Sequence, residues 1–292
     1  MNEPTPLTAA ILAAGTITSP ANPRVRAAAR LREAATRRET GLTLVDGLRE
    51  IGRCLAAGVE VVEVFVAAES LVRLAESESS PLGMLLGDLA ARGIPLTPLA
   101  ERPFGRIAFG DRNEGLVAVV RFRGSTLDAF QPRPGRPIFL LERIEKPGNL
   151  GAILRSADAA GFGGVILCGG GTDPANPAVI RASLGTVFSL PLAIAVTSAV
   201  IDWCRQQARL VIAATPEGGG RWHEANLGHT AAILLGSEAH GISSAWAAAA
   251  AAGHLDLGRA TLPMLGVADS LNVSATAAVL AYESLRQRQA SG

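Results

Sequence analysis

The chain has 292 residues, of which 48% are hydrophobic and 18% charged, with a formal net charge of +1. This length and balance leave room for one large packed domain or two smaller ones and exclude an intrinsically disordered chain. A charge so close to zero excludes capture of a polyanion by overall charge alone, and no apolar run is long enough to span a bilayer.

Residues 1–18 lack periodicity and read as a frayed, disordered tail, and Met1-Asn-Glu-Pro is not the basic start of a secretion signal. Ser19-Pro-Ala-Asn-Pro23 reads as a turn or as the cap of a basic helical stretch. That stretch carries Arg24, Arg26, Arg30, Arg32, Arg37 and Arg38 against one acid, Glu33. Leu42–Val45 is a strand, Leu48–Ala57 an amphipathic helix stopped by Gly58, and Val59–Ala67 a β-branched strand. A helix follows over about Leu82–Arg92, then short strands at Gly93–Leu96 and Gly115–Phe122. The Pro/Gly-rich stretch 124–137 reads as a linker. The alternation then restarts, with strands at Ile138–Leu141, Val165–Cys168, Ala193–Val196, Leu210–Ala214, Ala231–Leu235 and Leu255–Leu257. Helices are expected at Asn149–Ala160, Val179–Leu184, Ile201–Ala208, Ser244–Ala252 and Asn272–Arg288. The pattern is α/β, with a smaller N-terminal domain over 1–123 and a second domain over 138–292.

Cys54, Cys168 and Cys204 are odd in number and share no ligand spacing, so buried free thiols in a reducing cytoplasm are expected, with no metal. Of 27 basic residues only Lys146 is a lysine. Gly161–Gly164 and Gly169–Gly171 are glycine-rich. The first group follows a helix and precedes a strand, the reverse of a dinucleotide-binding turn.

Three stretches carry chemistry. In Asn149-Leu-Gly151-Ala-Ile-Leu-Arg155, a helix opening after Pro147-Gly148 would aim free N–H groups past a strand end. Asn149 either caps that helix or faces a ligand, and Arg155, six residues on, lies on another face if both are helical. In Gly236-Ser-Glu238-Ala-His-Gly241, Gly236 follows an apolar strand and could let a ligand approach the main chain. Glu238 could pair with an arginine or accept from a hydroxyl, and His240 alone reads as solvated. In Leu262-Pro-Met264 and Ser270-Leu-Asn272-Val-Ser274, Leu262, Met264 and Leu271 could form a slot for a flat heteroaromatic ring, or be core residues. Ser270 is a natural cap for the last helix.

In combination these stretches resemble the SpoU–TrmH family of SPOUT methyltransferases. The family's motifs match Asn149, Gly151 and Arg155; then Gly236, Glu238 and Gly241; then Leu262-Pro-Met264 with Ser270–Ser274. Ala239 stands where a second glycine is common, a departure of small consequence if its backbone angle is negative. The resemblance implies S-adenosylmethionine as cofactor, a parallel sheet with a deep trefoil knot, a homodimer, and methylation of an RNA ribose 2′-hydroxyl. It assigns Arg155, Asn149, Glu238, Ser270 and Asn272 to catalysis. Thr215, Leu235, Gly236, Gly241, Leu262, Met264, Leu271 and Ser274 would line the cofactor site. Arg24, Arg26, Arg30 and Arg181 would contact RNA. The N-terminal half is similar to the ribosomal-protein-like substrate domain of ribosomal RNA enzymes, including those conferring resistance to avilamycin and thiostrepton. That makes 23S ribosomal RNA the expected partner. A transfer RNA enzyme, a non-catalytic ribosome-assembly factor on the same scaffold and a nicotinamide-linked oxidoreductase stay open at this point. Mechanistically, Arg155 is expected to meet charge developing on the 2′-hydroxyl, and not to act as a base, since a guanidinium rarely gives up a proton.

Overall fold

The computed structural model describes residues 6–74, 79–109, 114–216 and 218–290. The chain forms two compact units. One is the chain up to Arg123 together with Ala175–Phe188, and the other is Gly124–Pro174 together with the chain from Ser189.

The first unit runs α1 (Pro6–Ala13), α2 (Pro23–Arg30), α3 (Ala34–Thr40), β1 (Leu42–Asp46), α4 (Leu48–Ala56), β2 (Val61–Ala67), α5 (Ala68–Leu74), α6 (Pro81–Ala91), β3 (Leu96–Leu99), α7 (Glu101–Ile107) and β4 (Leu116–Arg121). Its sheet has the order β1-β4-β2-β3. Strand β4 is antiparallel to both neighbours and β3 is parallel to β2. Asn22 opens α2 by accepting from Arg24 N–H at 2.9 Å, with Pro23 at the first helical position, where its missing N–H costs nothing. Val25, Ala28 and Leu31 face a core of Leu44, Phe65, Leu99 and Phe104. The disordered tail expected over 1–18 is corrected over residues 6–18; residues 1–5 lie outside the described residues. Thr8 and Ile11 of α1 are buried, and Ile17 bridges to Leu99 and packs against the core of the unit, so two isoleucines anchor this short segment.

The second unit runs β5 (Ile138–Glu142), α8 (Pro147–Ala159), β6 (Gly164–Cys168), then α9 (Pro177–Ala182), which belongs with the first unit. It continues with β7 (Leu192–Ala195), α10 (Thr197–Gln206), β8 (Val211–Ala214), β9 (Gly220–Arg221), β10 (Ala232–Leu235), α11 (Ser244–Ala251), β11 (Leu257–Thr261) and α12 (Val273–Ala290). The sheet order is β7-β6-β5-β10-β8-β11-β9, and every pair is parallel. The central strands read as unbroken apolar runs because helices cover both faces. In parallel register their carboxyl ends share one edge, where Glu142, Leu235 and Ala214 stand.

The expected linker 124–137 is also corrected. Ser125 pairs beside β7, its N–H donating to Leu192 O at 3.2 Å, and Phe130 is buried in the core against Trp203. Leu127 and Phe130 give this Pro/Gly-rich stretch an apolar anchor that a free linker would lack. Residues 175–188, which sequence order places in the second domain, pack in the first unit. Thr43 Oγ1 donates to Ala175 O at 2.5 Å, Arg53 Nη1 to Leu184 O at 2.7 Å, and Phe122 meets Phe188 edge-on at 4.9 Å. The three cysteines are free and buried, and burial pushes each thiol up to about 12.

Candidate functional site

Three loops meet at the carboxyl edge of the large sheet. The first leaves β5 through Arg143, which adopts φ 56, and enters α8. Lys146 occupies the N-cap position without a side-chain cap bond, so Asn149 lies inside the first helical turn and its side chain is free for other work. The second loop leaves β10 and closes on itself. Ser237 N–H donates to Gly241 O at 3.2 Å, Gly241 N–H donates back to Ser237 O at 2.9 Å, and His240 N–H donates to Ser237 Oγ at 3.0 Å. A Cβ at Gly236 would lie 2.3 Å from the Gly241 carbonyl carbon, so the loop's own backbone excludes any side chain at this position. Gly241 takes φ 63, whereas Ala239 is outside the left-handed region and fits without strain. The third loop follows β11 and enters α12. Asn272, not Ser270, caps that helix, its Oδ1 accepting from Ser274 N–H at 2.9 Å.

The three loops are joined by their side chains. Asn149 Nδ2 donates to Glu238 Oε1 at 2.8 Å. Asn272 Nδ2 donates to the same oxygen at 2.9 Å and to Asn149 Oδ1 at 3.2 Å. Lys146 Nζ reaches Glu238 Oε2 at 2.5 Å. These contacts hold the Glu238 carboxyl below its ordinary range. The Lys146 ammonium is the largest cause, burial opposes it, and the Asn149 amide and Val273 N–H add to it. Lys146 is the one site residue in this cluster that motif reading missed, and its signal was its solitude among 26 arginines.

Two hollows flank this cluster. The larger, about 530 Å³, is lined by the expected Thr215, Leu235, Gly236, Gly241, Leu262, Met264 and Leu271. Ser270 and Glu238 also line it, as do Asp269 and Thr276, which the sequence did not mark. Ser274 does not line it; its hydroxyl is turned to Asn272 Oδ1 at 2.6 Å. The smaller hollow, about 230 Å³, is lined by Ile144, Lys146 and Asn149 on one side. Ser237, Glu238 and Val273 line both, so the two hollows are neighbours. The large cleft fits a nucleoside: it has leucine and methionine walls for a flat ring, and Thr215 Oγ1 is buried in it without a hydrogen-bond partner among the described residues. Among the described residues no group of three or more His, Cys, Asp or Glu could hold a metal ion, and no helix is long and apolar enough to cross a membrane.

Arg155 stands exposed on α8, lines neither hollow, and has no hydrogen bond or ion pair among the described residues. In the first unit Arg26 and Arg30 are likewise exposed and unpaired among the described residues. Arg24 is tied to Glu63 and to Thr97 Oγ1, the latter at 2.6 Å. Arg181 donates to Phe109 O and lies 3.7 Å from Asp46 Oδ2.

A wholly parallel sheet with a nucleoside-sized cleft and a fixed carboxamide–carboxylate cluster at its carboxyl edge defines the class as a nucleotide-cofactor α/β enzyme fold. Comparison with known proteins narrows this. Residues 136–282 match the SpoU rRNA methylase family and residues 22–118 the MRM3-like substrate-binding domain, and the chain belongs to the SpoU rRNA methylase family. It is 33% identical over 207 residues, 68% of this chain and 70% of the relative, to the 23S rRNA (uridine(2479)-2′-O)-methyltransferase of Streptomyces viridochromogenes. A crystal structure of an RNA 2′-O ribose methyltransferase superposes with a TM-score of 0.76 at 39% identity, covering 94% of this chain and 99% of that one. The SpoU methyltransferase AviRb of Streptomyces viridochromogenes, in complex with AdoMet, superposes with a TM-score of 0.77 at 28% identity, covering 93% and 100%.

Proposed function

We propose that this protein transfers the methyl group of S-adenosylmethionine to a ribose 2′-hydroxyl of 23S ribosomal RNA. One observation carries the reading: the nucleoside-sized cleft and the smaller polar hollow share the Ser237–Glu238 wall, so two substrates bound one in each would meet there. When bound, S-adenosylmethionine supplies an electrophilic methyl group. Leu235, Leu262, Met264 and Leu271 would sandwich its ring, with Thr215 Oγ1 as a polar contact. The protein's larger task is the acceptor, because a ribose hydroxyl is barely ionised at neutral pH. Arg155, exposed on α8 and lining neither hollow within one chain, would meet the negative charge developing on that oxygen and the adjacent phosphate from the second copy of a homodimer. Glu238, locked by Asn149 and Asn272, and Ser270 orient the acceptor. Arg24, Arg26, Arg30 and Arg181 contribute RNA phosphate contacts, with the unpaired Arg26 and Arg30 the readiest of the four.

The same reading gives the second unit a trefoil knot and the protein a homodimeric state. In support of the knot, α12 packs against α8, with Arg288 Nη2 donating to Ala160 O at 2.6 Å, although β11 lies beyond β10 and β8 from β5. The chain after Thr261 must therefore cross back over intervening strand ends. In support of the dimer, Leu265 and Val267 are fully exposed beside the cleft, apolar surface that a second copy would cover. The protein would act in the cytoplasm, where ribosomes are made, and methylation at a drug-binding nucleotide would confer resistance of the avilamycin or thiostrepton kind. The test is transfer of tritiated methyl from S-adenosylmethionine to RNA, with ribose methylation mapped across RNA from cells with and without the protein. A protein-dependent 2′-O-methyl in 23S RNA is expected. An unchanged map together with no transfer to any RNA would overturn the reading.

A further inference from the structure

Glu142 is the most deeply buried carboxylate among the described residues, and the mechanism leaves it unused. Glu142 closes β5 and is 1% exposed, and three donors converge on it. Thr197 Oγ1 and Ser243 Oγ each donate to Oε1 at 2.8 Å, and Ser243 N–H donates to Oε2 at 2.7 Å. Ser243 is the N-cap residue of α11, but its hydroxyl makes no cap bond to the helix, because it is turned to Glu142 instead. A glutamate buried at the end of an apolar strand is costly unless its acceptors are filled, and here two of the three donors come from a loop end.

The location of that loop end matters. Ser243 lies two residues past Gly241, where the Gly236–Gly241 loop closes on itself. Glu142 lies four residues before Lys146 and seven before Asn149. One carboxylate therefore fastens the strand that leads to Asn149 to the base of the loop that carries Glu238. The neighbourhood leaves little slack: a Cβ at Gly169 would stand 3.2 Å from Glu142 Cγ and 3.1 Å from Thr197 Oγ1. Facing charged or titratable groups are Arg143, next in the chain, and the Cys168 thiol, which burial foremost and the Glu142 charge next push up to about 12.

We propose that Glu142 is a positioning residue for methyl transfer: through Ser243 it sets the Glu238 loop at the distance at which Asn149 and Asn272 can both reach the Glu238 carboxylate. The inference rests on the reading of this site as a methyltransferase centre. Glu142→Gln keeps the shape but removes the charge, and its N–H₂ is satisfied only if the Ser243 and Thr197 hydroxyls turn to accept, so charge-assisted fastening bonds become weaker neutral ones. Ser243→Ala removes the same link from the other side. Thr197→Val removes only a bond that leads away from the loop.

The experiment compares these three variants and the Glu142→Gln/Ser243→Ala double variant in the full-length protein. Single-turnover methyl transfer, the thermal midpoint and amide hydrogen exchange over residues 237–243 are measured for each. Glu142→Gln and Ser243→Ala should each slow transfer by about tenfold to a hundredfold, the loss expected for a small misplacement of reacting groups. The double variant should be no slower than the worse single, because one link cannot be cut twice. Exchange over 237–243 should quicken in both. Thr197→Val should lower the midpoint as much as either while leaving transfer within about twofold and loop exchange unchanged. Wild-type transfer in Glu142→Gln, multiplicative losses in the double variant, or transfer losses that track the midpoint across all three would overturn the proposal. If the wild-type protein methylates no RNA, the functional reading fails, and the exchange data still decide whether Glu142 sets the loop.

Discussion

The two units use their polar residues in opposite ways. In the first, charged groups mostly hold the unit together. Arg37 is buried and donates to Leu31 O at 3.0 Å and Arg32 O at 2.8 Å, Arg24 is tied to Glu63, and burial raises the Asp46 carboxyl to about 6 in spite of the Phe109 N–H and Arg181. In the second, Lys146, Asn149, Glu238 and Asn272 gather at a solvent-facing strand edge, and the donors lower a carboxyl. Burial is the largest cause at Asp46, and the Lys146 ammonium is the largest cause at Glu238. An arginine-rich run is therefore a poor guide to where RNA is held until its internal partners are known.

The sharpest test of that contrast is Arg155→Ala. It should cut methyl transfer by about a hundredfold to a thousandfold, as for loss of a fixed charge-stabilising donor, with S-adenosylmethionine affinity by calorimetry nearly unchanged. Near wild-type turnover would remove Arg155 from the chemistry. The next effect is in the carboxylate cluster. Because the Glu238 carboxyl is depressed, the charged network is intact at neutral pH and is lost only as pH falls below the ordinary glutamate range. Lys146→Met removes the largest cause, so the acid limb of the rate–pH profile should move upward. An unmoved limb would mean that another group titrates there.

In the first unit Arg37→Ala should cost about 2 kcal/mol in denaturant unfolding, since it strips charged donors from buried carbonyls. Arg26→Ala and Arg30→Ala should leave stability unchanged but reduce the salt slope of RNA binding by roughly one each. The reverse pattern would place the RNA contacts on the buried arginine. The smallest effect concerns Asp46. A raised folded-state carboxyl binds its proton more tightly than the unfolded chain does. Stability is thus greatest below the unfolded value of about 4 and falls as pH rises toward about 6. Asp46→Asn should raise the thermal midpoint at pH 8, by about 1–2 kcal/mol of stability, and hardly at all at pH 4. An equal shift at both would show that charge is not the cause.

Much of the second unit is legible in the sequence because β5, β6 and β10 are uninterrupted apolar runs, a pattern that a doubly covered parallel sheet requires. β11 was harder to read. Gly258 and Arg259 break the run, and the strand lies at Leu257–Thr261, beyond the expected 255–257. α7 has no counterpart among the expected elements: Pro103 and Gly105 weaken a helical pattern, yet Pro103 falls in the first turn of the helix, where proline is tolerated. Within the site, the motif glycines and amides were readable from spacing. The joining of Asn149 to Glu238 across 89 residues was not, nor was the turning of Ser274 away from the cleft, since both depend on loops meeting in space.

The excursion of residues 175–188 also bears on the order of assembly during synthesis. Thr43 needs the carbonyl of Ala175 and Arg53 that of Leu184, so the amino-terminal unit cannot be completed when Arg123 leaves the ribosome. It must wait with an open flank until Phe188 has emerged, by which time β5 and β6 have already been made. An expression clone ending near residue 123 would lack that closing segment, and should give a less stable and stickier product than one in which 175–188 is supplied.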